Sequence, residues 1–210
     1  MEMNPLTPFE TGPEFPWIPA NENGWGIVVL DLRKTAFGMT AMTDNSATAE
    51  SFLTFRDGSE YVGVELPISC PIVSPISCPS NPFARERPLT IAAQMEDKWN
   101  VYHYGGRLFF TRSWTGELIH TATVDVSGDL ARVTSVETKD AVDGCDHVVR
   151  EVDYLIRAYV IERWFPHPLP PQLERSLQAV IGYSFQTHGR RGAFATCDDT
   201  LKARHPEHQS

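Results

Sequence analysis

Several absences bound what this chain can be. Its four cysteines, Cys70, Cys78, Cys145 and Cys197, include no C-x-x-C pair, so the usual spacing of a structural zinc site or a dithiol redox motif is missing. No apolar run approaches the ~20 residues needed to cross a bilayer. The start, MEMNPLTPFETGPEF, has acidic residues and prolines where a secretory leader would have a basic end and an apolar stretch. A soluble, cytoplasmic protein with no membrane partner is expected. Basic charge is also scarce: 18 Lys and Arg against 27 Asp and Glu leave a net charge of −9. A sequence-independent nucleic-acid binder needs a basic face to displace counterions from phosphates, so no nucleic-acid partner is expected. An acidic surface suits solubility or a protein partner with a basic surface. No metal ligand set, cofactor fingerprint or specific catalytic motif occurs, and none sets an oligomeric state.

Proline and glycine divide what is present. Residues 1–24 carry Pro5, Pro8, Pro13, Pro16 and Pro19, which predicts an irregular segment wrapped over the surface and anchored by Phe15 and Trp17. From Trp25, GWGIVVLDL reads as a buried strand and FGMTAMT as a second. SFLTFRDG reads as a third strand or a short helix, and EYVGVELPI as another strand. Residues 67–88 form a proline-rich connection in which PISCP occurs twice. Either Cys70 and Cys78 close it as a disulfide or they are two buried thiols, and reducing cytosol favours thiols. The second half continues through LTIAAQ, KWNVYHYGGRLFF, ELIHTATVDV and LARVTSVET as an antiparallel meander.

Helical spacing follows. Val148, Val149, Val152, Leu155, Ile156, Tyr159 and Val160 make one apolar stripe, with Asp143 or Asp146 as N-cap and Pro166 as the stop. A second helix is expected from Pro170-Pro171, with Leu173, Leu177, Val180, Ile181 and Ser184 inward. The fold class is therefore α+β, an antiparallel sheet or meander with two C-terminal helices packed on one face. Residues 25–188 form one domain, which would divide if anywhere at the loop 67–88, and 189–210 form a polar tail.

The most informative stretch is Lys98 to Gly116. Gly105-Gly106 accepts the positive φ angles of a two-residue hairpin loop. That pairs Tyr104 with Arg107, His103 with Leu108, Val101 with Phe110 and Trp99 with Arg112. The last six named share one face, and aromatics on both faces predict a strand pair covered on both sides. The stretch KWNVYHYGGRLFFTRSWTG resembles a motif, KW-x-x-YY-x-x-G-x-LYF-x-RSWTG, of a family of small uncharacterised bacterial proteins. The resemblance spans Glu96 to Phe165 and departs from the motif at His103. It implies a bacterial origin and this hairpin-then-helix fold, and it brings no catalytic residue with it.

Candidate binding residues follow from chemistry. Arg112 offers bidentate contacts to carboxylate or phosphate, and Trp99 and Trp114 lie on its face as stacking partners, with His103 further along the same strand pair. The competing expectation is a strut in which Arg112 pins the hairpin to a helix, satisfied by Glu151 or Asp153. Weaker motifs have plainer readings. Ser184 lies inside a helical pattern, Cys145 and His147 are two residues apart, the acidic residues around Asp143, Asp146, Glu151 and Asp153 suit a helix start, and Asp198-Asp199 suits a cap. His205 and His208 read as tail residues. Two functions fit: a non-catalytic bacterial protein-binding module, toxin-neutralising or accessory, and alternatively a small-molecule enzyme or sensor for a nucleotide or phosphate-bearing ligand. The second would use Arg112, His103, His120 and nearby carboxylates. A pocket in which Arg112, a histidine and a carboxylate converge would favour the second.

Overall fold

The structure, a computed structural model, describes residues 9, 11–54 and 56–204. His205 and His208 lie outside the described residues. In chain order the first elements are β1 (Trp17–Ile18), β2 (Val29–Asp31), α1 (Arg33–Gly38), α2 (Ser46–Leu53), β3 (Ile68–Cys70), β4 (Ile76–Pro79) and β5 (Arg87–Thr90). They are followed by β6 (Trp99–Tyr104), β7 (Arg107–Arg112), β8 (Leu118–Ser127), β9 (Leu130–Thr138), α3 (Cys145–Leu155), β10 (His167–Pro168), α4 (Leu177–His188) and β11 (Phe194–Thr196). The fold is α+β with a meander-like antiparallel sheet and two C-terminal helices.

The meander β5-β6-β7-β8-β9 is the larger sheet, extended at its far edge by β3 and β4. The hairpin pairs in the expected register, with Trp99 opposite Arg112, Val101 opposite Phe110 and His103 opposite Leu108. Trp99, Val101, Leu108 and Phe110 join the main core with Val148, Val149, Val152 and Leu155 of α3. The other face carries Tyr102 and Phe109, which pack with Tyr61 from the loop before β3. Tyr61 also donates its hydroxyl to the Gly116 carbonyl at 2.6 Å. Residues 60–68, read as a strand, thus contribute a short turn that closes the hairpin's second face.

The smaller sheet runs β1-β2-β11-β10. Its centre, Leu30 and Ala195, packs with Val180 of α4 and with the half-buried Phe15 and Trp17. Residues 194–196, read as part of a polar tail, are a buried strand. Alternation hides it because three residues, Phe-Ala-Thr, are too few to show a period. The expected strand FGMTAMT is replaced by α1 and irregular chain. SFLTFRDG contributes to a helix, whose first turn is capped by Asn45 accepting from the Thr48 N–H at 3.1 Å. The first residue of α4 is Leu177, with Ser176 accepting from Ala179 N–H, so Pro170-Pro171 precedes the helix rather than opening it. The N-cap of α3 is Gly144, not Asp143 or Asp146.

The doubled PISCP explains itself in the pairing. Ile68, Ser69 and Cys70 lie opposite Thr138, Glu137 and Val136, and Ile76, Ser77 and Cys78 lie opposite Val133, Arg132 and Ala131. The two copies therefore lie end to end along β9. Cys70 and Cys78 face positions five residues apart, about 17 Å at strand spacing, whereas a disulfide requires Cα atoms within about 7 Å. Cys70 is instead bonded to Cys145 at the first residue of α3, which corrects both sequence readings of that loop. Cys78 is buried. The bridge closes a chain separation of 75 residues, for which loop entropy gives a stabilisation of about 4 kcal/mol. Cys145→Ser is expected to lower the denaturant-derived stability of the oxidised protein by about 2–4 kcal/mol, to the level of the reduced wild type. A variant as stable as the oxidised wild type would remove the bond from the account.

Candidate functional site

The site lies where the hairpin, α3 and α4 meet, and its outer wall is built by unpaired carbonyls. The last carbonyls of a helix lack partners within it and carry its negative end. Trp99 Nε1 and Arg112 Nη1 both donate to the Thr187 carbonyl of α4, at 2.8 and 2.9 Å, and Arg112 Nη2 donates to Gln186 at 2.8 Å. The guanidinium carbon stands 4.8 Å from the centre of the Trp99 ring. Arg112 is thus a strut between sheet and helix, and its partners are carbonyls, not Glu151 or Asp153. Just past α4, Gly189 has φ +56°, and a Cβ there would come within 1.7 Å of the Glu96 carbonyl oxygen. The helix end can approach the chain just before β6 only because that residue is glycine.

Behind the strut lies a cavity of about 210 Å³, partly open to solvent, lined by Arg112, His120, His147, Glu151 and Tyr183 among others. A bulge at Ile119 sets its floor. Phe110 pairs with His120, but Thr111 then pairs with Leu118, so one extra residue bends β8 beside the histidine. His147 and Glu151 are four apart on α3 and therefore share its inner face.

Hydrogen-bond bookkeeping assigns the central pair. The Thr138 hydroxyl has one proton and lies 2.7 Å from the Asp140 carbonyl, which can only accept. The 2.9 Å contact between Thr138 Oγ1 and His120 Nδ1 is then donated by the imidazole. His120 Nε2 lies 3.3 Å from Glu151 Oε2. Burial by itself would push the Glu151 carboxyl up, yet the hydrogen bond and charge of His120 outweigh it and hold the carboxyl well below the ordinary range. Glu151 is therefore an ionised acceptor, and His120 is engaged through both ring nitrogens, one on Thr138 and one on Glu151.

Three further imidazoles surround the carboxylate. His188 Nε2 lies 4.0 Å from Glu151 Oε1, the His167 and His188 rings are 4.5 Å apart, and Tyr183 Oη is 3.4 Å from His147 Nε2. Burial pushes His167 down to about 4, lowers His147, and with the neighbouring His167 lowers His188 well below the usual histidine range. These rings are neutral near pH 7. Both nitrogens of His188, Nε2 of His167 and Nδ1 of His147 are buried without a hydrogen-bond partner. Among the described residues no three His, Cys, Asp or Glu side chains are arranged to hold a metal ion.

Of the residues singled out from sequence, the structure brings Trp99, Arg112 and His120 to the cavity. His103 sits at the other end of its strand, edge-on to Phe83 and 3.2 Å from the Arg85 carbonyl. Trp114 donates to the Met95 carbonyl and covers the Lys98 ammonium, 4.2 Å from its ring centre. Ser184 returns its hydroxyl to Val180 within α4, Asp199 caps the turn after β11, and the Cys145 thiol is spent on its disulfide. Glu151, His147, His167, His188 and Tyr183 were not picked out as site residues. The H-x-x-x-E spacing from His147 to Glu151 was the available signal. No protein-family model, curated protein or solved structure matches the chain.

The neutral imidazoles make stability depend on acid. An unfolded histidine takes up a proton near about pH 6.5, while folded His167 resists until about 4. The unfolded state therefore binds more protons between those values, so stability falls as pH drops through that window. For His167 alone the loss between about pH 7 and pH 5 is about 2 kcal/mol, and His188 acts in the same direction. Urea unfolding at the two pH values should show a smaller difference in His167→Asn than in the wild type. An unchanged difference would mean that His167 titrates normally.

Proposed function

We propose that the protein is a small-molecule enzyme or sensor and that the cavity between the hairpin, α3 and α4 is its binding site. The observation that carries this reading is the convergence of Arg112, His120 and Glu151 on one cavity of about 210 Å³. Buried sites with a few convergent polar groups and displaced proton affinities are where ligands and acid–base chemistry are found. Arg112 spends two of its five N–H donors on carbonyls, and its side chain lines the cavity as the cationic group there. The Glu151 carboxylate supplies a negative charge inside the cavity, and His120 and His147 line it beside that charge.

Size narrows the ligand. A cavity of about 150 Å³ takes benzene, whereas drug-sized ligands need about 300 Å³ or more. Of the nucleotide and phosphate-bearing ligands expected from sequence, a small anionic metabolite or one end of a larger one suits this volume. We place the protein in the cytoplasm, where a bond such as Cys70–Cys145 responds to redox state instead of being a permanent staple. Protein binding is the second reading. It draws on Phe37 and Trp164, each about half exposed and packed edge to face at 5.7 Å, which an accessory or toxin partner could cover.

A thermal-shift screen of small carboxylates, phosphates, nucleotides and ADP-ribose tests the first reading. A compound at a hundred times its Kd should stabilise the wild type by about 2.7 kcal/mol, and Arg112→Lys should lose most of that increment. A screen with no stabilising compound, or with equal increments in both proteins, would contradict it.

A further inference from the structure

One wall of the cavity is a short stretch of chain, Asp140, Ala141, Val142 and Asp143, followed by His147 and Val148 in the first turn of α3. A helix start is ordinarily fixed by a side chain that accepts from its first N–H groups. Gly144, the N-cap of α3, has none to offer. The chain just ahead of it bonds to itself, with the Gly144 N–H donating to the Ala141 carbonyl at 2.9 Å. The disulfide takes the place of the cap. Cys145 is the first residue of α3, flanked by Asp143 and His147, and Cys70 lies on β3, whose register with β9 is set from Ile68 to Cys70. The bond therefore ties the cavity wall to the larger sheet.

The same bond is placed where it can be opened. Cys70 is 3% exposed, but Cys145 is only partly buried, so a reductant approaches from the Cys145 side. Further along α3, Glu151 stays on His120, and release of the first turn leaves the body of the helix in place. Opening an uncapped helix end costs far less than unfolding the protein. Resting on the site assigned above, we propose that Cys70–Cys145 is a redox-controlled clamp on the cavity, opened by a dithiol reductant in the native fold, and that its opening frees the wall formed by residues 140–148. A reductant thiolate attacks Cys145 Sγ, the S–S bond breaks, and Cys70 leaves as a thiol while a mixed disulfide forms on Cys145. The reductant's second thiol then displaces Cys145 and forms the reductant's own disulfide. Two electrons pass to the protein, and the two thiol protons of the reductant end on Cys70 and Cys145. The cavity is thereby formed in the oxidised protein and loosened in the reduced one.

Two readouts on the full-length, ligand-free protein test this, so the clamp is judged apart from the thermal-shift screen. In the first, oxidised protein is treated with dithiothreitol under native conditions, alkylated and mapped by mass spectrometry. Cys145 should be labelled while the buried Cys78 thiol stays protected. Labelling of Cys145 only together with Cys78 overturns the proposal, because the bond would then open through unfolding alone; a bond that resists dithiothreitol overturns it as well. In the second, backbone ¹⁵N order parameters of residues 140–148 should fall on reduction from a rigid level of about 0.85 to below about 0.6. Those of the hairpin should hold, and reoxidation should restore the wall. Values that stay rigid in the reduced protein, or that are already low in the oxidised one, overturn the clamp. Cys145→Ser should show the mobile wall with or without reductant. Because the wild-type measurements decide the matter, a variant that fails to fold does not.

Discussion

A carboxylate buried on α3 is the constraint around which the rest is arranged. An ion removed from water costs several kcal/mol unless other groups compensate it. Glu151 is compensated by His120 on β8, which is itself held by Thr138 on β9. One charge therefore fixes how α3 crosses the sheet, because a turn of rotation or a slip of one residue along the helix would separate carboxylate from imidazole. The same helix is bonded to β3 through Cys145 and Cys70. Its rotation is thus set at the first residue and again in the middle.

The second helix is located by the opposite charge. Arg112 and Trp99 spend their donors on the end of α4, whose carbonyls would otherwise be orphaned. The apolar side of α4, through Val180, belongs to the smaller sheet. The strut therefore adds a polar link between the sheets to the core that Val29 and Phe194 share with the larger one, and it flanks a gap between α3 and α4 that is the cavity. Stability and the proposed site share the same residues here, so the unpaired imidazole nitrogens behind Glu151 are a cost borne next to the cavity.

How much of this was legible depended on period and on distance along the chain. The hairpin register follows from Gly105-Gly106 and a period of two, and the apolar stripe of α3 follows from its spacing, so both could be read directly. Short strands could not: β11 has three residues and β10 two, and their pairing joins segments that sequence leaves unconnected. The site was half legible. Arg112 and Trp99 stood out as a cross-strand pair, whereas Trp114 covers Lys98 and His103 lies edge-on to Phe83, both outside the cavity lining. Glu151 looked like one more acid near a helix start. Its distinction comes from His120, 31 residues away in the chain, and from a bulge at Ile119 that no local pattern announces.

The most direct measurement is the carboxyl ¹³C shift of Glu151 followed from neutral pH down to the point of acid unfolding. The account predicts that Glu151 stays ionised as the pH falls through the ordinary glutamate range near about 4.3, while exposed glutamates titrate normally. A Glu151 carboxyl that takes up its proton at or above that range would contradict it. The cavity would then lose the buried carboxylate charge around which it is organised.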